Sequence, residues 1–415
     1  MKKITVFADF DFFPSPKEIG KLGYEQVQGN SHFVFEFSRD WLEYHGGIIL
    51  SGDLMNVASL QHPRSNDVFG FVKDSFPDRW GRLLLDRRER LTAHAEGRPK
   101  RMLTNYDYLV GIEDFTRMGA IRYKSEDSGD YINAATKYSV PPLEELSALC
   151  KACQEIELAE ERNELPEQRW LDQLVDPGTT LGGARPKANV IDSNGQLYVA
   201  KFPSKNDLED TELIEHFSHQ LASQAGINTA KTRTMQISKN RHLLLSERFD
   251  RKSNGSRIHF ASAMSLLALD DGAGSNTGNG YPDIADFILR GCVNVRQNLR
   301  ELYRRVAFNV VFGNTDDHFR NHGFLLTEKG WTLSPAYDIN PGGKSYQSIL
   351  IDQASAQSDI NTLLNASENY LIERNEAKDI IEEVRQTIKD WRTTANRLHI
   401  SPKLLEPYSA RWDNC

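Results

Sequence analysis

Gly313-Asn314-Thr315-Asp316-Asp317-His318-Phe319-Arg320-Asn321-His322-Gly323 follows an apolar helical stripe and precedes the short apolar run Phe324-Leu325-Leu326. Two carboxylates, a histidine and an asparagine within six residues are costly to bury and add nothing to a core. A loop that only turned the chain would need no such set. Asp316 and Asn321 stand five positions apart. Protein kinases use that separation for the Asp that accepts the substrate hydroxyl proton and the Asn that holds a magnesium ion. Downstream, residues 323–327 and 331–334 read as a strand pair turning at Glu328-Lys329-Gly330, and the pair runs into Ser334-Pro335-Ala336-Tyr337-Asp338. Asp338 therefore falls where the metal-binding Asp of D-F-G would stand. Two hard oxygen ligands beside a hairpin suit Mg2+, which takes its other ligands from phosphate and water.

A triphosphate also needs positive charge and backbone donors. Lys201 closes the expected strand 197–202, as the Lys of V-A-I-K does. A lysine at a strand end is by itself an ordinary solvated residue, but this one precedes a D-x-x-x-x-N loop. The helix expected over 211–225 offers Glu212 and Glu215 as ion-pair partners. Gly182-Gly183-Ala184-Arg185-Pro186-Lys187 is neither Walker A nor G-x-G-x-x-G. Its glycines still let backbone N–H groups approach an anion, with charge from Arg185 and Lys187. Leu243-Leu244-Leu245-Ser246-Glu247-Arg248-Phe249-Asp250 is an apolar strand with polar backbone at its exit, where an adenine edge would pair.

The set G-N-T-D-D-H-x-x-N-H-G, S-P-A-Y-D, G-G-A-R-P-K, L-x-E-R-F-D-R and the early Asp74-Ser75-Phe76-Pro77-Asp78-Arg79-Trp80-Gly81-Arg82 resembles the HipA family, the serine/threonine kinase toxins of bacterial toxin–antitoxin modules. The motifs stand in family order across residues 74–338. The resemblance implies an α+β fold: a kinase-like two-lobe body with an extra N-terminal α/β subdomain and a mostly α-helical C-terminal lobe. The expected divisions are 1–125, 126–255 (the lobe with glycine loop and hinge) and 256–415 (the lobe with the catalytic loop). It implies ATP and Mg2+ as cofactors, Asp316 as catalytic base, Asn321 and Asp338 as magnesium ligands, and Lys201 as the phosphate-pairing lysine. Gly182, Gly183, Ala184, Arg185 and Lys187 would form the phosphate loop, Glu247 and Phe249 the adenine hinge, and His318 a nucleotide contact.

It further implies a helix-turn-helix antitoxin partner of HipB type, contact with DNA only through that partner, and a translation component such as an aminoacyl-tRNA synthetase as substrate. Family members that silence themselves phosphorylate a serine ahead of the glycine loop. Here that neighbourhood reads Thr179-Thr180-Leu181, so Thr180 is the candidate for autophosphorylation.

Composition fits this reading. The chain has 415 residues, 39% of them hydrophobic, enough for real cores and unlike a disordered tail or a coiled-coil rod. A net charge of −8 argues against a protein that wraps nucleic acid by itself. The basic run over 79–101 reads as a solvated helix face. No apolar stretch is long enough to span a membrane. Asp9 and Asp11 cut short the apolar N-terminal run, so no signal peptide is expected and a cytoplasmic location is. Cys150-Lys151-Ala152-Cys153 matches C-x-x-C, yet Leu143, Leu146, Leu149, Cys153 and Ile156 recur at helical spacing, which makes the cysteines core filling. The glycine-rich stretch 270–281 is expected to be mobile. Two other functions compete with a kinase: a nucleotide-binding co-repressor of a DNA-binding antitoxin, and a metal-dependent hydrolase built on Asp316, Asp317, His318 and Asp338. The hydrolase would leave Lys201 and the glycine loop without a role.

Overall fold

A computed structural model describes residues 1–27, 30–64, 68–134, 140–175 and 183–415. They form two compact units, Met1–Asp207 with Leu245–Ala261, and Leu208–Leu244 with Ser262–Cys415. The boundaries expected at 125 and 255 both fall inside the first unit. The reason lies in two buried clusters, described below, that tie residues 74–125 to residues 187–251.

In the first unit, β1 (Lys2–Ala8), β2 (Lys17–Val27), β3 (Asn30–Phe37) and β4 (Ile121–Ser125) make an antiparallel sheet in the order β3-β2-β1-β4. The sequence gives no clear signal for β2, because Gly20 and Gly23 weaken a strand pattern. A side chain at Gly20 would run into the Glu36 carbonyl of β3, so close backbone approach requires glycine there. Ser38 caps α1 (Arg39–His45), its hydroxyl accepting from the Trp41 N–H at 3.1 Å. Residues 69–90 read as a helical segment broken at Pro77, and α2 (Gly70–Lys73) and α3 (Arg79–Ala95) flank that break; Asp78 caps α3 by accepting from Gly81 N–H at 2.7 Å. Thr104 and Asp107 form a capping box on α4 (Asn105–Gly111). The helical pattern over 141–175 divides into α5 (Leu146–Glu161), which buries Cys150 and Cys153, and α6 (Gln168–Leu174). β5 (Lys187–Ile191) and β6 (Leu197–Lys201) form a hairpin around Asn194-Gly195, a dipeptide that favours such turns, with Gly195 at φ 83°.

In the second unit, α7 (Thr211–Gln224) ends ahead of Gly226 at φ 82°, in the left-handed region that stops helices. β7 (Thr232–Ser238) follows, and β8 (Arg241–Glu247) carries the chain back into the first unit from Leu245. After β9 (Phe260–Ser262) and α8 (Ala263–Leu266), the chain enters α9 (Tyr281–Gly291) and α10 (Val295–Phe312). α10 buries the apolar stripe Leu299, Leu302, Val306 and Val310. β10 (Gly323–Thr327) and β11 (Gly330–Leu333) pair antiparallel, with Phe324 opposite Leu333. The unit closes with α11 (Ile360–Asn365), α12 (Arg374–Lys389), α13 (Trp391–Arg397) and α14 (Pro402–Asp413). The stripe from Ile381 to Leu398 reads as one interior helix face in sequence; the structure breaks it at Asp390, although Ile388 and Trp391 stay buried on both sides. Trp412 stacks on Phe312 at 4.9 Å and donates its indole N–H to the Phe312 carbonyl at 2.8 Å, which fixes the C-terminal end of α10.

The glycine-rich stretch is not the slack loop its composition suggests. Ser275 N–H donates to Ser348 C=O at 2.9 Å, Leu350 N–H to Asn279 C=O at 3.0 Å, and Tyr281 N–H to Leu350 C=O at 2.9 Å. A Cβ at Gly274 would sit 2.5 Å from the Ser348 oxygen, so its glycine serves close packing. Among the described residues no helix is long and apolar enough to cross a membrane.

Candidate active site

The loop opens where Gly313 ends α10 at φ 93°. Asn314 donates its side-chain amide to Asn309 Oδ1 at 3.0 Å, inside the unit. The two aspartates that follow part company. Asp316 is exposed, whereas Asp317 is buried. One oxygen of Asp317 accepts from the Tyr281 hydroxyl, the Asn309 amide and His322 Nε2, each at 2.7 Å. Burial alone would raise the Asp317 pKa, but the His322 imidazole and these donors hold its carboxyl below the usual range. A carboxylate can only accept, so Nε2 of His322 carries the proton.

Phe319–Asn321 makes a single tight turn in which Asn321 N–H donates to His318 C=O at 2.8 Å. The Asn321 side chain directs its N–H at the Asp316 carbonyl, at a long 3.5 Å, which leaves its amide oxygen as the group able to ligate. The segment after β11 packs against this turn. Tyr337 donates its hydroxyl to Arg320 C=O at 2.6 Å, and Asn314, Asp317, Asn321 and Tyr337 share a cavity of about 20 Å3. Asp338 has φ 57°, a conformation rare outside glycine, which redirects the chain there. Arg305 of α10 donates from Nη2 to Ser334 C=O at 2.7 Å and so fixes the start of the same segment.

The structure thus joins 316–321 with 334–338 in one unit. The donors it supplies are hard oxygens, the kind magnesium takes. Among the described residues no three His, Cys, Asp or Glu side chains stand close enough to hold a metal by themselves. Asp317 is buried with one oxygen taken by three protein donors, which weakens the hydrolase alternative. His318 is half-buried, with Nδ1 enclosed and without a hydrogen-bond partner.

The other expected residues lie in the first unit. Lys187 and Lys201 are direct cross-strand partners, so their side chains share a face of the hairpin. Lys201 is half-buried. Lys187 is 3% exposed, its ammonium bonded to Asp78 at 2.9 Å, while its carbonyl accepts from the Trp80 indole at 3.0 Å. The two sequence motifs, 74–82 and 182–187, therefore meet at Lys187. A side chain at Gly183, which has φ 96°, would lie 3.0 Å from the Lys187 ammonium, so the described end of the glycine loop passes over that buried charge. Ala184 is exposed beside it. Arg185 grips Asp207 with two bonds, at 2.7 and 2.6 Å. Thr180 and Gly182 lie outside the described residues.

Glu247 ends β8 half-buried, and the Phe249 ring stands 5.9 Å from Phe260. The residues between and after them are structural. Asp250 is fully buried and accepts from Arg248 at 2.8 and 2.6 Å, Arg251 at 2.7 Å and the Gly119 N–H at 2.8 Å. Arg248 also reaches the Thr116 carbonyl at 2.6 Å and Asn189 at 2.8 Å. Sequence reading had assigned no role to Asp78, Trp80 or Asp250, although all three sit in motifs it singled out. Asp207 carried no signal at all.

Known proteins fit this picture. The HipA chain in a Shewanella oneidensis toxin–antitoxin complex with HipB and operator DNA superposes with a TM-score of 0.65 at 14% identity, covering 99% of this chain and 95% of that one. The chain has that α+β fold. The serine/threonine-protein kinase toxin HipA of Shewanella oneidensis is 24% identical over 263 residues, 56% of this chain and 59% of that protein. The toxin YjjJ of Escherichia coli is 26% identical over 174 residues, 40% of this chain and 38% of that protein. The chain spans 38–62% of the length of the curated relatives it matches. A family model described as the HipA-like C-terminal domain matches residues 179–392, more than half of these 415 residues, and the chain belongs to that HipA-like family.

Proposed function

We propose that this protein is an ATP- and Mg2+-dependent serine/threonine protein kinase, the toxin of a toxin–antitoxin pair. The observation that carries the reading is the split between adjacent aspartates: Asp317 is buried with three protein donors on one oxygen, and Asp316 is exposed on the same loop as Asn321. Asp316 would take the proton of the acceptor hydroxyl as the phosphoryl group moves onto its oxygen. Asn321 and Asp338 would hold Mg2+, which when bound neutralises charge on the phosphates. Lys201 would pair with the phosphates, Gly183 and Ala184 would offer backbone N–H groups, and Glu247 and Phe249 would meet the adenine. Arg185 would join them by exchanging its Asp207 partner for phosphate. The ammonium of Lys187, paired with Asp78, would act from beneath the loop. His318 would be among the nucleotide contacts.

By analogy with the HipA–HipB–operator complex, the partner is a helix-turn-helix antitoxin, and DNA is reached through it. The substrate is a cytoplasmic translation component such as an aminoacyl-tRNA synthetase, and Thr180 is the site of autophosphorylation. Incubation with γ-labelled ATP, Mg2+ and a bacterial lysate, followed by mass spectrometry, tests each part. Label on a lysate protein supports the kinase, and label at Thr180 supports self-modification. ATP bound without turnover would leave the co-repressor reading instead.

A further inference from the structure

Asp316 is exposed, yet the residues on both sides of it are held from elsewhere in the second unit. Before it, the Thr315 carbonyl accepts from the Ser348 hydroxyl at 2.9 Å. After it, Asp317 is gripped by Tyr281, Asn309 and His322. Ser348 and Tyr281 belong to one piece of structure, because the glycine-rich stretch 274–281 runs along 348–350 through three backbone hydrogen bonds. That contact leaves no room for side chains: a Cβ at Gly280 would collide with the Leu350 carbonyl and one at Gly274 with that of Ser348. Tyr281 itself is fully buried, so its hydroxyl has no solvent alternative to Asp317.

We infer that the glycine-rich strap, with residues 348–350, is a positioning device for Asp316: it holds the Thr315 carbonyl and the Asp317 side chain so that the carboxylate between them projects in one direction. Tyr281 and Ser348 are then positioning residues and touch no substrate. A strap serves this purpose where a flexible lid would not, since a base is effective only when held within hydrogen-bond reach of its proton. The activity arm of the test rests on the kinase reading; the exchange arm does not.

Tyr281→Phe and Ser348→Ala each remove a single hydroxyl from the full chain. Hydrogen–deuterium exchange over residues 313–323 should quicken by about 10-fold or more in Tyr281→Phe and by a smaller factor in Ser348→Ala, with α12 unchanged. Labelled phosphate transfer should show kcat reduced about 10- to 100-fold in Tyr281→Phe, with KM for ATP within about twofold of the parent. Unchanged protection of 313–323 in both variants overturns the inference, whether or not the chain transfers phosphate. A parent protein that transfers none would defeat the kinase reading and leave exchange to decide the strap. Should Tyr281→Phe fail to fold, Ser348→Ala carries the same exchange test.

Discussion

Two buried aspartates, one in each unit, are held in different ways. Burial would push both carboxyls up; at Asp250 the guanidinium groups of Arg248 and Arg251 outweigh it, and at Asp317 the His322 imidazole and neutral donors do. Both end up below the usual carboxylate range. Around Asp250 the adjoining arginines turn inward as well, onto carbonyls at Thr116, Arg117 and Gly119, so the charged groups at 248, 250 and 251 go into structure. Around Asp317 the network stops at one residue, and its neighbour Asp316 faces solvent. A dense polar motif can therefore serve as a brace or as a site. The difference lies in whether one charged group is left uncommitted.

The largest effect that would break this contrast is on transfer. Asp316→Asn should lower phosphate transfer by about a thousandfold or more while the melting temperature stays within a degree or two, read by labelled ATP and calorimetry. Retained transfer would move the base elsewhere. Asp250→Asn should do the opposite, leaving Arg248 and Arg251 buried without their counter-ion at a cost of about 3–5 kcal/mol, measured by urea unfolding. A stability loss confined to Asp316→Asn would invert the comparison. A smaller effect sharpens the picture of the first unit. His259 lies buried with its ring stacked 4.9 Å from Phe10, and burial lowers its pKa to about 3. An unfolded histidine titrates near 6.5, so between those values only the unfolded chain takes up the proton. The associated stability is complete above about pH 6.5 and drains as pH falls toward 3. Urea midpoints at pH 7 and pH 5 should differ by the equivalent of about 2 kcal/mol from this group, and His259→Phe should remove that part of the slope.

Much of the second unit is legible from sequence. The period of α10, the G-N-T-D-D-H loop and the hairpin 323–334 follow from apolar spacing and turn residues, and each appears where expected. What escapes is long-range. Nothing local to Asp78 says that it will meet Lys187, 109 positions away, and nothing near Asp317 points to Tyr281. The glycine-rich stretch misleads for the same reason: its composition signals slack, but the surface of 348–350 that requires glycine is far along the chain. β2 is hidden because two glycines that break the strand pattern are those its neighbours demand. At the loop itself, residue types reveal the chemistry, while which aspartate is exposed depends on contacts that no window of sequence contains.

The Lys187–Asp78 pair also bears on how the chain can be dissected. The match to the C-terminal family model begins at residue 179, but the ammonium at the base of the first strand within it is neutralised by an aspartate a hundred positions earlier. A truncated protein beginning after residue 125 would keep every proposed catalytic group yet strand a cation in its interior. Such a fragment should be recovered insoluble or collapsed, and the matched region is not a portable module.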